Sequence, residues 1–114
     1  QGGSNIIKLR GRSSFQSPAY NAVKMIEAAM GGEKFTLPAG CYVNCDKCGF
    51  KNVMMAMPST IDKTGVHFTE PAGTEEEMAS LAKSYEHLCK MRDEIVELGI
   101  VPAVEKWNEL NPNL

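Results

Sequence analysis

Lys34-Phe35-Thr36-Leu37-Pro38-Ala39-Gly40-Cys41-Tyr42-Val43-Asn44-Cys45 is where the chain changes its hydrophobic period. Phe35, Leu37, Ala39, Cys41, Val43 and Cys45 alternate with Lys34, Thr36, Pro38, Gly40, Tyr42 and Asn44. A period of two predicts a strand with one buried face. Pro38 cannot donate to a ladder, which predicts an edge position or a bulge there. Downstream, Asp46-Lys47-Cys48-Gly49 reads as a turn, and Val53-Met54-Met55-Ala56-Met57, closed by Pro58, reads as a second strand. A third pair, around Ile61 and Val66-His67-Phe68, is joined by Asp62-Lys63-Thr64-Gly65, a hairpin tip by composition. The middle of the chain is therefore expected to be antiparallel sheet.

Helices flank it. Upstream, Ala19, Ala22, Val23, Ile26, Ala29 and Met30 follow i, i+3, i+4 spacing and predict an amphipathic helix. Ser17 is placed as its N-cap and Pro18 at its first position, and Gly31-Gly32 closes it. Before that, Gly11-Arg12-Ser13-Ser14-Phe15-Gln16 is a loop, and Ile6-Ile7-Lys8-Leu9-Arg10 reads as the tail of an element begun earlier. On the other side, Thr74-Glu75-Glu76-Glu77 is a capping box. It opens a long helix with the stripe Met78, Leu81, Ala82, Tyr85, Leu88, Cys89, Ile95 and Val96, ended by Gly99. A short helix is expected from Pro102 to Trp107, stopped at Asn111-Pro112. The fold class is α+β: an antiparallel sheet packed with a long C-terminal helix and a second amphipathic helix.

Composition narrows the function. The 114 residues carry a net charge of −2, which argues against a nucleic-acid binder and against an anionic membrane surface. No apolar run approaches the roughly 20 residues that span a bilayer. The start, Gln1-Gly2-Gly3-Ser4-Asn5, lacks the basic and apolar parts of a secretory signal. A cytoplasmic protein is expected, without nucleic-acid or membrane partners. Four cysteines could form a disulfide set, but seven methionines and the lack of an export signal favour free thiols.

Four stretches in order resemble the C-terminal domain of the lactate/malate dehydrogenase family. They are Ile6-Ile7-Lys8-Leu9-Arg10-Gly11-Arg12-Ser13-Ser14-Phe15; Ser17-Pro18-Ala19 with Met25-Ile26-Glu27-Ala28; Met57-Pro58 with Ile61, Gly65 and Val66; and Thr74-Glu75-Glu76-Glu77 with its helix. The resemblance covers most of residues 2–98. Ser13 and Pro18 together look more like the malate enzymes that are built on the lactate dehydrogenase plan. Two features depart from the pattern. Cys45-Asp46-Lys47-Cys48 stands where relatives have a short acidic or glycine-containing tip, and Gly99–Leu114 runs past the usual end.

The resemblance implies hydride transfer between malate and oxaloacetate with NAD as cofactor; a lactate dehydrogenase is the alternative within the class. It implies that residues 1–114 are the substrate-side and oligomerisation domain, that the NAD-binding N-terminal half is missing from this chain, and that the intact enzyme is a homo-oligomer. No GxGxxG phosphate loop occurs here, and no catalytic residue is assigned. The chain alone is expected to be inactive. Ser13 is assigned to the substrate pocket, where a small hydroxyl leaves room for a 2-oxo diacid and can donate one hydrogen bond. Ser17 and Pro18 are placed beside the nicotinamide. Arg10 and Arg12 are left to solvent, and His67 and His87 to surface or packing roles.

A rival signal is Cys41-x3-Cys45-x2-Cys48, which resembles half a zinc knuckle. A closed zinc site wants four ligands, and a fourth is not obvious. Metal, a Cys45–Cys48 disulfide and free thiols all remain open. No metal ligand is assigned, and a small zinc-stabilised binding module stands as the reading from another class.

Overall fold

The alternation becomes a two-stranded antiparallel ladder of β1 (Ala39–Cys45) and β2 (Phe50–Met57). It belongs to a computed structural model that describes residues 2–112. Ala39, Cys41 and Val43 face Met57, Met55 and Val53, and all six are buried. Val43 and Met57 are the largest fully buried side chains; each stabilises the fold by roughly 1.5–3 kcal/mol.

The ladder then slips by one residue. Cys45 faces Phe50, so Lys51 and Asn52 together oppose Asn44. This is a β-bulge, and Asn52 takes the left-handed conformation it needs, with φ 55°. The slip has a clear benefit for packing: strict alternation from Val53 would bury Lys51, whereas the bulge buries Phe50 instead.

The helix α3 (Glu75–Glu97) packs on β2. Its capping box forms as expected: the Glu77 N–H donates to Thr74 Oγ1 at 3.2 Å and the Thr74 N–H to Glu77 Oε2 at 2.8 Å. Leu81, Tyr85, Leu88 and Cys89 lie half-buried against the ladder core, and the Tyr85 ring sits 4.8 Å from that of Phe50. Arg92 falls on the same stripe. Its guanidinium donates to the carbonyls of Lys51 (3.3 Å) and Asn52 (3.1 Å), while Tyr85 Oη accepts from the Lys51 N–H at 3.2 Å. Tyr42 Oη donates to Asn52 Oδ1. The bulge's freed polar groups are thus taken up by side chains. Gly99, with φ 69°, follows the helix end. Beyond it a 3-10 turn (Val104–Lys106) and α4 (Trp107–Leu110) bring the Trp107 ring to 6.3 Å from Tyr42. Trp107 walls an apolar groove of about 260 Å3 with Met54, Leu88, Met91 and Ile95.

This unit comprises Leu37–Ser59 and the chain from Phe68 onward; the other comprises the chain through Thr36 together with Thr60–His67. The second unit holds α1 (Gly2–Arg10), α2 (Gln16–Ala29) and most of the hairpin of β3 (Ser59–Asp62) and β4 (Gly65–Phe68). At the tip, Asp62 Oδ1 accepts from the Thr64 N–H at 2.8 Å, and Gly65 adopts φ 123°.

The expected antiparallel α+β class is present, with three local corrections. The strand expected from Lys34 begins at Ala39; Phe35 makes only an isolated bridge to Ile61, because Pro38 withholds the N–H that would continue the ladder. The single central sheet is two separate two-stranded ladders. The upstream helix begins at Gln16 with Phe15 at its N-cap and no capping side chain, so Ser17 and Pro18 are the second and third helical residues. Proline fits there because the first N–H groups of a helix have no intrahelical partner. Among the described residues no helix is long and apolar enough to cross a membrane.

Candidate functional site

The loop between α1 and α2 and the first turn of α2 carry all three residues assigned from sequence: Ser13 in the loop, Ser17 and Pro18 in the helix. Gly11, at φ 71°, closes α1 with its N–H on the Ile7 carbonyl at 2.8 Å. The chain then turns through Arg12-Ser13-Ser14 into Phe15. The Arg12 guanidinium lies over the Phe15 ring, 5.2 Å from its centroid, a cation–π contact that fixes the outer edge of the turn. Ser13 is exposed, and its hydroxyl reaches only the Ser14 carbonyl, at 3.5 Å. That distance is at the weak end for an O–H donor, so Ser13 keeps its capacity to donate.

Ser17 and Pro18 lie exposed on the first turn of α2. With no side chain capping that turn, the N–H groups of Gln16 and Ser17 point from the positive end of the helix dipole. Ser13, Ser17 and Pro18 therefore share one short, exposed segment that offers a hydroxyl, free backbone donors and a small apolar ring. This arrangement can hydrogen-bond an anionic or carbonyl-bearing ligand. It supplies no general base.

The two histidines are placed elsewhere. His67, in β4, has its Nε2 at 2.8 Å from Thr64 Oγ1, and that hydroxyl donates to Asp62 Oδ1. Since the threonine proton is directed at Asp62, His67 is the donor in the chain His67–Thr64–Asp62. The hydrogen bonds from the Thr64 side chain and backbone, with Lys34 nearby, hold the Asp62 carboxyl down at about 2. These contacts lock a hairpin tip. His87 lies exposed on α3.

The cysteines separate. All four are free. Cys41 is buried, with its thiol 3.6 Å from the Met55 carbonyl. Cys89 packs against the core from α3. Cys45 and Cys48 stay together at the β1–β2 turn, where the Cys48 N–H donates to Cys45 Sγ at 3.3 Å. The Cys48 thiol, and then its N–H, hold the Cys45 thiol below its ordinary range; burial, and then the hydrogen bond to Cys45, hold Cys48 above it. Among the described residues no group of three or more His, Cys, Asp and Glu side chains is gathered for a metal.

Sequence reasoning missed Arg92 and Tyr85 as the residues that pin the bulge. Their signal was a charged residue in step with an apolar helical stripe.

Comparison with known proteins agrees with this architecture. The lactate/malate dehydrogenase alpha/beta C-terminal domain matches residues 1–98. A malate dehydrogenase of Sorangium cellulosum is 34% identical over 85 residues, covering 74% of this chain and 27% of the relative. One of Geobacillus kaustophilus is 34% identical over 88 residues, covering 75% of the chain and 28% of the relative. One of Pelagibacter ubique is 37% identical over 76 residues, covering 66% and 23%. The chain thus spans about a quarter of the length of these relatives. The match ends where α3 ends, which leaves the 3-10 turn and α4 outside it. The chain belongs to the lactate/malate dehydrogenase family, as its alpha/beta C-terminal domain.

Proposed function

We propose that this chain is the substrate-side part of an NAD-dependent malate dehydrogenase that interconverts malate and oxaloacetate. The observation that carries the reading is the exposed Ser13 hydroxyl, nearly unpartnered, beside the uncapped first turn of α2. Relatives named malate dehydrogenase favour malate over lactate as the substrate.

In this reading Ser13 donates to the substrate, and its small size leaves room for the second carboxylate of a diacid. Bound NAD supplies the hydride acceptor. Ser17 and Pro18, exposed on one helical turn, fit the nicotinamide end: the proline ring offers an apolar face and the serine a polar contact. The pyrophosphate, the proton-accepting base and the carboxylate-binding arginines belong to the N-terminal half of the enzyme, which this chain does not include.

The apolar stripe of α2 fits the same reading. Tyr20, Val23, Ile26 and Met30 are 63%, 61%, 60% and 84% exposed. Such a face is suited to contact with the N-terminal half or with a second subunit of a homo-oligomer. The reading is tested by expressing the intact enzyme and comparing NADH oxidation with oxaloacetate and with pyruvate. Higher kcat/KM for oxaloacetate is expected. Preference for pyruvate would make it a lactate dehydrogenase, and turnover of neither would end the proposal.

A further inference from the structure

The turn between β1 and β2 holds two thiols that the proposed reaction does not use. Cys45 ends β1, Cys48 lies two residues before β2, and Gly49 turns the chain back at φ 74°. The Cys48 N–H donates to Cys45 Sγ at 3.3 Å, and Cys48 Sγ lies 3.9 Å from the Cys45 carbonyl oxygen. These two contacts fold the pair back on itself, and each thiol acts on the other's proton. A disulfide needs its two cysteines already close, with their side chains turned toward each other, and the turn supplies this.

The two sulfurs are not equivalent. Cys45 Sγ accepts a backbone N–H, which favours its thiolate, and its thiol stands below the ordinary range. Cys48 is held above that range, first by burial against the ladder core. The thiolate is the attacking form of cysteine, so the asymmetry divides the pair into an attacking and a following sulfur. Asp46 pairs with Lys51, and Glu70 lies 3.4 Å from Lys47, so both carboxylates at the turn have a cationic partner. Asp46, Lys47 and Gly49 are exposed, which opens the rim of the turn to a small reagent. The other two cysteines are engaged elsewhere: Cys41 is buried with its thiol on the Met55 carbonyl, and Cys89 meets Tyr85 on α3.

We propose that Cys45 and Cys48 form a reversible thiol–disulfide pair, in which Cys45 attacks a low-molecular-weight disulfide and Cys48 resolves the mixed disulfide. In the first step the Cys45 thiolate bonds to one sulfur of the reagent and expels the other as a thiolate. In the second, Cys48 gives its proton to solvent, bonds to Cys45 Sγ and expels the remaining reagent thiolate. Both expelled thiolates take up protons, which balances the two protons lost by the cysteines. The cysteine pair is oxidised by two electrons and the reagent disulfide is reduced by two. The product is a covalent clasp across the turn that joins β1 to β2. The inference stands apart from the dehydrogenase reading, since it uses neither Ser13 nor α2.

The test incubates the reduced chain with oxidised and reduced glutathione across a series of ratios, quenches with acid, alkylates the remaining thiols and maps the peptides by mass. The expected result is loss of two of the four free thiols, with Cys45 joined to Cys48 and full reversal by dithiothreitol. Cys48→Ser should trap one glutathione on Cys45, because the resolving sulfur is gone. Cys45→Ser should leave Cys48 slow to acquire glutathione. Cys89→Ser should leave closure of the pair unchanged. Four thiols that stay free across the whole series, or a disulfide that recruits Cys41 or Cys89 instead, would overturn the pair. Glutathione reaching Cys48 in Cys45→Ser as fast as it reaches Cys45 in Cys48→Ser would overturn the order of attack. The mapping of the parent chain decides closure by itself if a serine variant fails to fold.

Discussion

The bulge at Asn52 and the loop at Gly11–Phe15 both interrupt regular structure, and they treat their polar groups in opposite ways. At the bulge, Arg92 takes the Lys51 and Asn52 carbonyls, Tyr85 takes the Lys51 N–H, and Tyr42 holds the Asn52 side chain. In the loop, Ser13 has one long contact and the following helix has no capping side chain. The apolar groups divide the same way. The β1–β2 ladder buries Cys41, Val43, Phe50, Val53, Met55 and Met57, whereas α1 buries nothing and α2 only Ala28. An irregularity that serves the fold is satisfied within the chain. The loop, for which we propose a ligand-binding role, leaves its donors open.

The largest effect expected from this contrast is loss of all activity. The 114-residue chain alone should oxidise no NADH with oxaloacetate, because its open loop meets neither base nor nucleotide site. A steady-state assay on material free of host enzyme decides this, and turnover above blank would contradict it. Next in size is the core. Met57→Ala should destabilise the ladder by about 2–5 kcal/mol in urea unfolding, while Ile26→Ala on the exposed face of α2 should change little in the same chain. Equal losses would mean that α2 is buried in solution and that the two regions do not differ.

A smaller effect is expected where the bulge is pinned. Arg92→Met keeps the apolar stem but leaves two carbonyls without their donor, at a cost of about 1–2 kcal/mol. A neutral result would mean that water replaces the guanidinium freely. The smallest effect concerns pH. The folded pKa of Asp62, about 2, lies below the unfolded value of roughly 3.9. Its contribution is therefore present above that unfolded value and disappears as pH falls toward 2. Asp62→Asn should flatten this part of the acid stability profile of the β3–β4 hairpin. An unchanged slope would show that Thr64 and Lys34 do not hold the carboxylate.

Much of the fold was legible because its signals are local. Thr74 and Glu77, Gly31 after α2, and the Asp62–Gly65 tip each act within a few residues. Helix α2 was legible in period but not in environment: spacing shows that Val23, Ile26 and Met30 share a face, not what covers it. Its start was misread because Pro18 suits any early position in a helix. The bulge was hidden because Lys51 and Asn52 are held by Arg92, about forty positions along the chain. The candidate site was legible only through family resemblance. A loop serine has no pattern of its own, and the histidine–aspartate proximity at the β3–β4 tip appeared only once the hairpin was formed.

The central claim is that the open loop forms a wall of the substrate pocket, and Ser13→Val in the intact enzyme tests it most directly. The substitution removes a donor and adds branched apolar bulk while leaving the buried ladder untouched. A lost neutral hydrogen bond is worth about 0.5–1.5 kcal/mol, so kcat/KM for oxaloacetate should fall at least roughly 2- to 13-fold, with a raised KM and an unchanged thermal midpoint. Kinetics identical to the parent enzyme would place Ser13 outside the pocket and contradict the account.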